Sequence, residues 1–266
     1  MLGNQVDRLE NHPAIDRLDQ AGALGGIEKG AGQERLPSVL EVIYLIFNEG
    51  YAATAGDDWM RPGLCEDALR LGRILAELAP NEPEVHGLVA LMEIQASRAH
   101  ARVGPSGQPV LLLEQDRSRW DQLLIRRGLA ALERAEQVGG PRGPYLLQAA
   151  LAACHARART ADQTDWARIV SLYDELREIM PSPIVDLNRA VAVGMASGPA
   201  AGLRLVDALT SEGALARYHL LPSVRGDLLR KLGRLDEARA EFERAASLTQ
   251  NARERALLLE RAARST

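Results

Sequence analysis

The chain has 266 residues, of which 46% are hydrophobic and 4% aromatic, and its formal net charge is −4. This composition excludes a disordered or collagen-like chain, and the mixture of charges excludes a strong positive field that would attract nucleic acid or anionic lipid. The two cysteines, Cys65 and Cys154, are too few for a disulfide framework. Few aromatic residues and abundant Ala, Leu and Arg favour helices over strands, so we predict an all-α fold.

The N-terminal segment contains glycine at positions 22, 25, 26, 30 and 32 and only a weak helical pattern. We predict a flexible leader over residues 1–35 and a single helical-repeat domain over residues 36–266. The leader lacks the apolar core with basic flanks that a signal peptide has. Together with the low cysteine content, this predicts a cytoplasmic protein without a membrane segment.

The apolar run Leu36–Phe47 is compatible with a buried strand or a buried helix. Because no second run of this kind follows nearby to pair with it as a strand, we predict a helix over Leu36–Asn48. We expect Gly50, which follows, to end the helix in a left-handed turn.

The next segment, Cys65–Leu78, shows the pattern of the second helix of a tetratricopeptide (TPR) repeat. Three side chains at i, i+4 and i+7 share one face, namely Ala68, Gly72 and Leu75. Prolines at 80 and 83 follow, as in the turn that leads to the next repeat.

The same spacing recurs four more times. The sets are Ala131, Ala135 and Val138, then Ile169, Tyr173 and Leu176, then Ala201, Leu205 and Ala208, and finally Ala238, Phe242 and Ala245. The first helices that precede them are predicted over Pro83–Arg102, Pro144–Arg157, Pro183–Met195 and His219–Lys231. With a charged amphipathic helix at Asn251–Ala263 as a terminal cap, the chain is predicted to be a TPR-like α-solenoid of about five helix pairs.

An insertion at Val103–Trp120 interrupts the repeats and contains the first candidate binding cluster, Gln115, Asp116, Arg117 and Trp120. A carboxylate, a guanidinium and an indole within one turn suit a peptide or polar ligand. The structural alternative is that Asp116 and Ser118 cap a helix starting near Arg119, that Arg117 pairs with Asp116, and that Trp120 belongs to the core.

Two further groups are candidates for a partner-binding groove. Asn48, Glu49 and Tyr51 follow the most apolar helix, and their alternative role is to cap and pack its end. Asn188 and Arg189 interrupt an apolar first helix, where a buried Asn that bridges neighbouring helices is the alternative. If the first helices line one concave side, both groups would face a common groove.

Signals for chemistry are weak. His86, Glu93 and His100 lie at i, i+7 and i+14, whereas zinc ligands on a helix favour i, i+4 pairs. The sequence has neither a glycine-rich phosphate loop nor a Gly-x-Ser-x-Gly nucleophile motif. We therefore predict a non-enzymatic protein without a metal site or cofactor.

Seven blocks of sequence together resemble a known family. They are YLIFNEGYAAT (44–54), LCEDALRL (64–71), PEVHGLVALM (83–92), LLLEQDRSRWD (111–121), GPYLLQAALAACHA (143–156), TDWARIVSLYDEL (164–176) and PSPIVDLNRAVAV (181–193). In this order they are similar to the C-terminal TPR-like extension of a group of extracytoplasmic-function (ECF) sigma factors.

The resemblance implies a regulatory region that contacts sigma-factor domains, RNA polymerase or a signalling protein. In that group, two promoter-reading domains precede the extension, whereas residues 1–35 are too short and too poor in basic residues to form either. We therefore expect no direct DNA binding by this chain. The alternative is a stand-alone TPR-like adaptor for an unrelated peptide or protein.

Overall fold

A computed structural model describes residues 31–51, 60–104 and 110–265. The predicted leader over residues 1–35 lies outside this range except for its last five residues, which belong to the first helix. The described residues form eleven α-helices and no strand, which confirms the all-α prediction. The helices are α1 Ala31–Tyr51, α2 Pro62–Leu78, α3 Pro83–Ala96, α4 Gln122–Val138, α5 Pro144–Arg157, α6 Trp166–Ile179, α7 Pro183–Ser197, α8 Pro199–Glu212, α9 Leu220–Lys231, α10 Leu235–Leu248 and α11 Ala252–Ala263.

The helices belong to two compact units, and the boundary falls between Arg159 and Thr160. The first unit contains α1–α5, and the second contains α6–α11 together with residues 110–115. The third predicted helix pair, α5 and α6, is therefore divided between the units. None of the described helices is long and apolar enough to cross a membrane.

Within each unit the helices pack in a solenoid-like manner. Each helix contacts the next one along the chain, and alternate helices also touch, as in the pairs α1–α3, α3–α5 and α7–α9. Such nearest-neighbour packing is typical of stacked helical repeats. Short connections between the packed helices, such as Gly198 between α7 and α8, are those of helical hairpins.

Helix α3 occupies the centre of the first unit. It is in contact with α1, α2, α4 and α5, and every residue from Val85 to Gln95 is buried. Neighbours on all sides explain why its apolar residues do not form a single stripe. The helix ends at Ala96, earlier than predicted, and a 3₁₀ turn at Ala99–Ala101 follows.

Each set of three side chains at i, i+4 and i+7 is called a packing set below. The predicted sets on α6 and α10 are confirmed, and the predicted set on α2 is confirmed in part. Ile169, Tyr173 and Leu176 are buried on α6, and Ala238, Phe242 and Ala245 are buried on α10. On α2, Ala68 and Gly72 are buried whereas Leu75 is half-buried.

The predicted register is wrong in two helices. Helix α4 buries Gly128, Leu132 and Ala135, so the predicted set Ala131, Ala135 and Val138 is displaced by three residues. Of that set Ala135 is buried as predicted, whereas Ala131 and Val138 are half-buried. Helix α8 buries Gly202, Val206 and Leu209, so Ala201, Leu205 and Ala208 are displaced by one.

Close helix contacts explain both errors. A Cβ atom at Gly128 would lie 2.6 Å from Cγ1 of Ile94, and one at Gly202 would lie 2.8 Å from Cα of Gly194. The predicted sets begin with an alanine, Ala131 or Ala201, whereas the observed sets begin with Gly128 and Gly202, because these contacts leave room only for glycine.

Gly50 does not end α1, which continues to Tyr51. A Cβ atom at this position would lie 2.7 Å from the backbone nitrogen of Cys65. The glycine therefore allows the end of α1 to approach the start of α2 closely.

Candidate functional site

A cavity of about 640 Å³ opens within the first unit, where the end of α1, the start of α2 and the segment after α3 meet α4. This volume is within the range of small-molecule sites. Its described lining is Tyr51, Met60, Pro62, Cys65, Glu66, Leu69, Ala96, Ala99, His100, Val103, Gly104, Arg119 and Leu124. Most of these side chains are apolar, and the ionisable Glu66, His100 and Arg119 are exposed.

Tyr51 is the predicted site residue that lines this cavity. Its ring is buried against Phe47, with 5.6 Å between ring centroids. The guanidinium of Arg102 lies 3.7 Å from the Tyr51 ring centroid, and its Nη1 donates a 2.5 Å hydrogen bond to the Tyr51 carbonyl oxygen. These contacts hold the tyrosine in place as one wall of the cavity.

The two neighbouring candidates, Asn48 and Glu49, are outside the described lining. Asn48 is buried, and its side-chain amide has no hydrogen-bond partner among the described residues. Glu49 forms an ion pair with Arg61, with 3.0 Å between Oε1 and Nη1. Neither arrangement tests partner binding, which stays a prediction for both residues.

The cluster in the insertion has a structural role that differs in detail from the predicted alternative. Asp116 accepts hydrogen bonds from the backbone and hydroxyl of Ser118 and caps the 3₁₀ turn Arg117–Arg119, not α4. The cap of α4 is Asp121, which accepts from the backbone nitrogens of Leu123 and Leu124.

Arg117 does not pair with Asp116. Its Nη1 donates to the carbonyl oxygens of His155 and Ala158, each at 2.7 Å, and so supplies hydrogen bonds to buried carbonyl groups at the C-terminal end of α5. Trp120 is only 3% exposed and lies under this guanidinium, 5.0 Å from its ring centroid. Burial favours a role in the core for Trp120 over direct contact with a partner.

Asn188 and Arg189 lie on α7 in the second unit. Asn188 is buried, and Arg189 Nε donates a 2.6 Å hydrogen bond to Asp174 of α6. Arg189 therefore joins two consecutive helices. A groove common to these residues and Tyr51 stays a prediction.

The three residues considered for a metal have separate contacts. His86 Nε2 lies 2.9 Å from the Pro80 carbonyl oxygen, and Glu93 Oε1 accepts from Arg73 at 2.8 Å. His100 lines the cavity. In the part of the chain that the structure describes, no group of three potential ligands is suitable for a metal ion.

Sequence reasoning missed most of the cavity, including Cys65, Glu66 and Arg119. These side chains come from separate segments, and no local spacing relates them. Burial raises the pKa of the Cys65 thiol to about 11, although the nearby Arg102 opposes this shift. The thiol is therefore neutral at physiological pH and contributes to the apolar wall.

Comparison with known proteins gives a partial match. Residues 35–136 match a family described as "Family of unknown function (DUF6596)". An uncharacterized protein of Rhizobium meliloti (strain 1021) is 47% identical over 225 residues, which are 85% of this chain and 52% of the relative. The chain thus spans about half the length of the curated relative that it matches. No solved structure matched the chain.

Proposed function

We propose that this chain is a cytoplasmic, non-catalytic regulatory region that binds protein partners and modulates transcription initiation by an ECF-type sigma factor. The partners would be sigma-factor domains, RNA polymerase or a signalling protein. The seven blocks that resemble the TPR-like extension of these factors support the proposal. The relative from Rhizobium meliloti also has about half its length outside the matched stretch, which is room for further domains.

The structural observation that carries the proposal is an exposed apolar stripe on α1. Val39, Val42 and Leu45 are 41%, 55% and 42% exposed. Their spacing of three residues places them along one side of the helix. Contiguous apolar surface of this kind marks protein-interaction sites.

A pull-down with the tagged full chain tests the proposal. Purified ECF sigma domains and RNA polymerase core enzyme are presented separately, and we expect one of them to be retained. Val42→Asp should abolish retention, because a charge on the stripe would have to be desolvated at the interface. Leu259→Asp, which alters a similarly exposed residue on α11, is the matched control and should bind as the wild type does.

Both variants should keep the melting temperature of the wild type. If the wild-type chain retains neither sigma domains nor polymerase, the sigma-factor proposal is wrong. The alternative is a stand-alone adaptor for an unrelated protein. It predicts that the wild-type chain retains neither sigma domains nor polymerase, and that it captures another protein which the Val42→Asp variant does not bind.

A further inference from the structure

The cavity of the first unit has the composition of a ligand site rather than of a packing defect. Leu69, Ala96 and Leu124 are among the apolar side chains that line it, and they come from three different helices. A site of this kind combines an apolar body with a few polar groups that orient the ligand.

The polar groups at its opening have unused hydrogen-bonding capacity. The side chains of Glu66, His100 and Arg119 form no hydrogen bond or ion pair with the described residues. Asp116 is close enough to Arg119 to interact with it electrostatically, but its carboxylate bonds to Ser118 instead. As far as the described residues go, Arg119 is therefore available to an external anion.

We propose that this cavity binds a small carboxylic acid with an apolar body, whose carboxylate is held by Arg119 at the opening. The fork of N–H groups on a guanidinium matches the two oxygens of a carboxylate. His100 supplies a second potential donor on the lining. Glu66 carries the one negative charge of the described lining, and its exposure to solvent weakens its repulsion of a bound anion.

The thiol of Cys65 provides a direct readout of occupancy, because it lies on the cavity wall. The chain has two cysteines, so Cys154→Ala leaves Cys65 as its single thiol. We expect octanoate, used as the probe, to slow modification of Cys65 by a small neutral thiol reagent in a saturable manner. Octanol and octylamine, which have the same body without a carboxylate, should protect Cys65 less at equal concentration.

Substitutions distinguish the contribution of the ligand's carboxylate to binding from that of its apolar chain. Arg119→Ala should weaken octanoate binding about tenfold, the effect of losing one charge-assisted contact, and should leave octanol binding unchanged. Glu66→Gln is the control and should bind octanoate at least as tightly as the wild type. Ala96→Phe should fill the cavity and remove protection by every probe.

Titration calorimetry on the same full-length variants checks the affinities without a chemical reagent. If Ala96→Phe has a lowered melting temperature, Leu124→Trp replaces it as the filled variant. A Cys65 rate that octanoate does not change, or octanol binding as tight as octanoate binding, would overturn the proposal. The measurement does not depend on which protein binds the α1 stripe.

Discussion

At the residue scale, the end of the second unit depends on a small buried cluster. Gly226 of α9 lies against Phe242 of α10, because a Cβ atom there would be 2.9 Å from the phenyl Cε1. Arg261 of α11 lies 5.0 Å from the Phe242 ring centroid and donates from Nη2 to both carboxylate oxygens of the buried Asp227, at 2.7 and 2.9 Å. A single aromatic ring thus contacts the helices on both sides of α10.

We predict that Phe242→Ala lowers the free energy of unfolding by about 3–5 kcal/mol, because it leaves a cavity in this cluster. The side chain is 0% exposed. Denaturant unfolding measures the change, and Leu235→Ala, at a 38% exposed position of the same helix, is the control with a small expected effect. Equal effects of the two substitutions would contradict the assigned packing.

Glu84 joins two helices of the first unit through its carboxylate. It lies in the first turn of α3 and accepts hydrogen bonds from the backbone nitrogens of Tyr145 and Leu146 at the start of α5, at 2.9 and 3.0 Å. Burial raises the pKa of Glu84 above its ordinary value of 4.5, although these hydrogen bonds oppose the rise.

The direction of this shift predicts a pH dependence of stability. Between pH 4.5 and the raised pKa, the folded state binds more protons at Glu84 than the unfolded state does. The contribution of this group to the free energy of unfolding is therefore present below pH 4.5 and is lost as the pH rises through the raised pKa.

Urea unfolding of the wild type and of Glu84→Gln across this range tests the prediction. The variant lacks the titrating group, so the stability difference, wild type minus variant, should fall with rising pH and then level off. A difference that grows with pH would mean that the backbone N–H groups outweigh burial.

At the scale of elements, one position recurs in the junctions between helices. In α2, α6 and α8, the residue that follows the middle member of the observed buried set forms an ion pair with the next helix along the chain. The pairs are Arg73 with Glu93, Asp174 with Arg189, and Asp207 with Arg225. The donor and acceptor are exchanged in the first case. In these three junctions the pair forms at the same position of the repeat with either sign of charge.

The corrected register of α8 can be tested with a single methyl group. Gly202→Ala should lower the free energy of unfolding by about 1–3 kcal/mol, because the new Cβ would meet the backbone of α7 within 2.8 Å. Gly63→Ala is the control, since a Cβ atom at that helical glycine has no neighbour within 4 Å. We expect this control to be within about 1 kcal/mol of the wild type. If Gly202→Ala left the free energy of unfolding unchanged, the result would favour the register predicted from the sequence over the observed one.

At the scale of the whole molecule, the net charge of −4 bears on partner choice. Nucleic-acid binding relies on clustered basic residues that release counterions from phosphate, and here both signs are interspersed along the chain. We predict that the chain does not distinguish a promoter fragment from scrambled DNA of equal length. Fluorescence anisotropy at physiological salt measures this, and tight, sequence-dependent binding would show that the expectation is wrong.

The helical class could be predicted from the sequence, as could the bounds of α5 to the residue and those of α2, α7, α9 and α11 to within three residues at each end. Prolines at helix starts, glycines at turns and the apolar spacing are local signals, and helix boundaries depend on local backbone geometry. For the same reason, the sets on α6 and α10 were predicted correctly. These sets have a large residue at their centre, which identifies the buried face.

The register of α4 and α8, the boundary after Arg159 and the composition of the cavity depend instead on contacts between helices. The spacing pattern does not distinguish alanine from glycine at a packing position. A short distance between two helix backbones leaves room only for glycine. The contacts of Arg117 and the cavity lining likewise join residues far apart in sequence. These arrangements depend on how whole helices pack, which no single segment encodes.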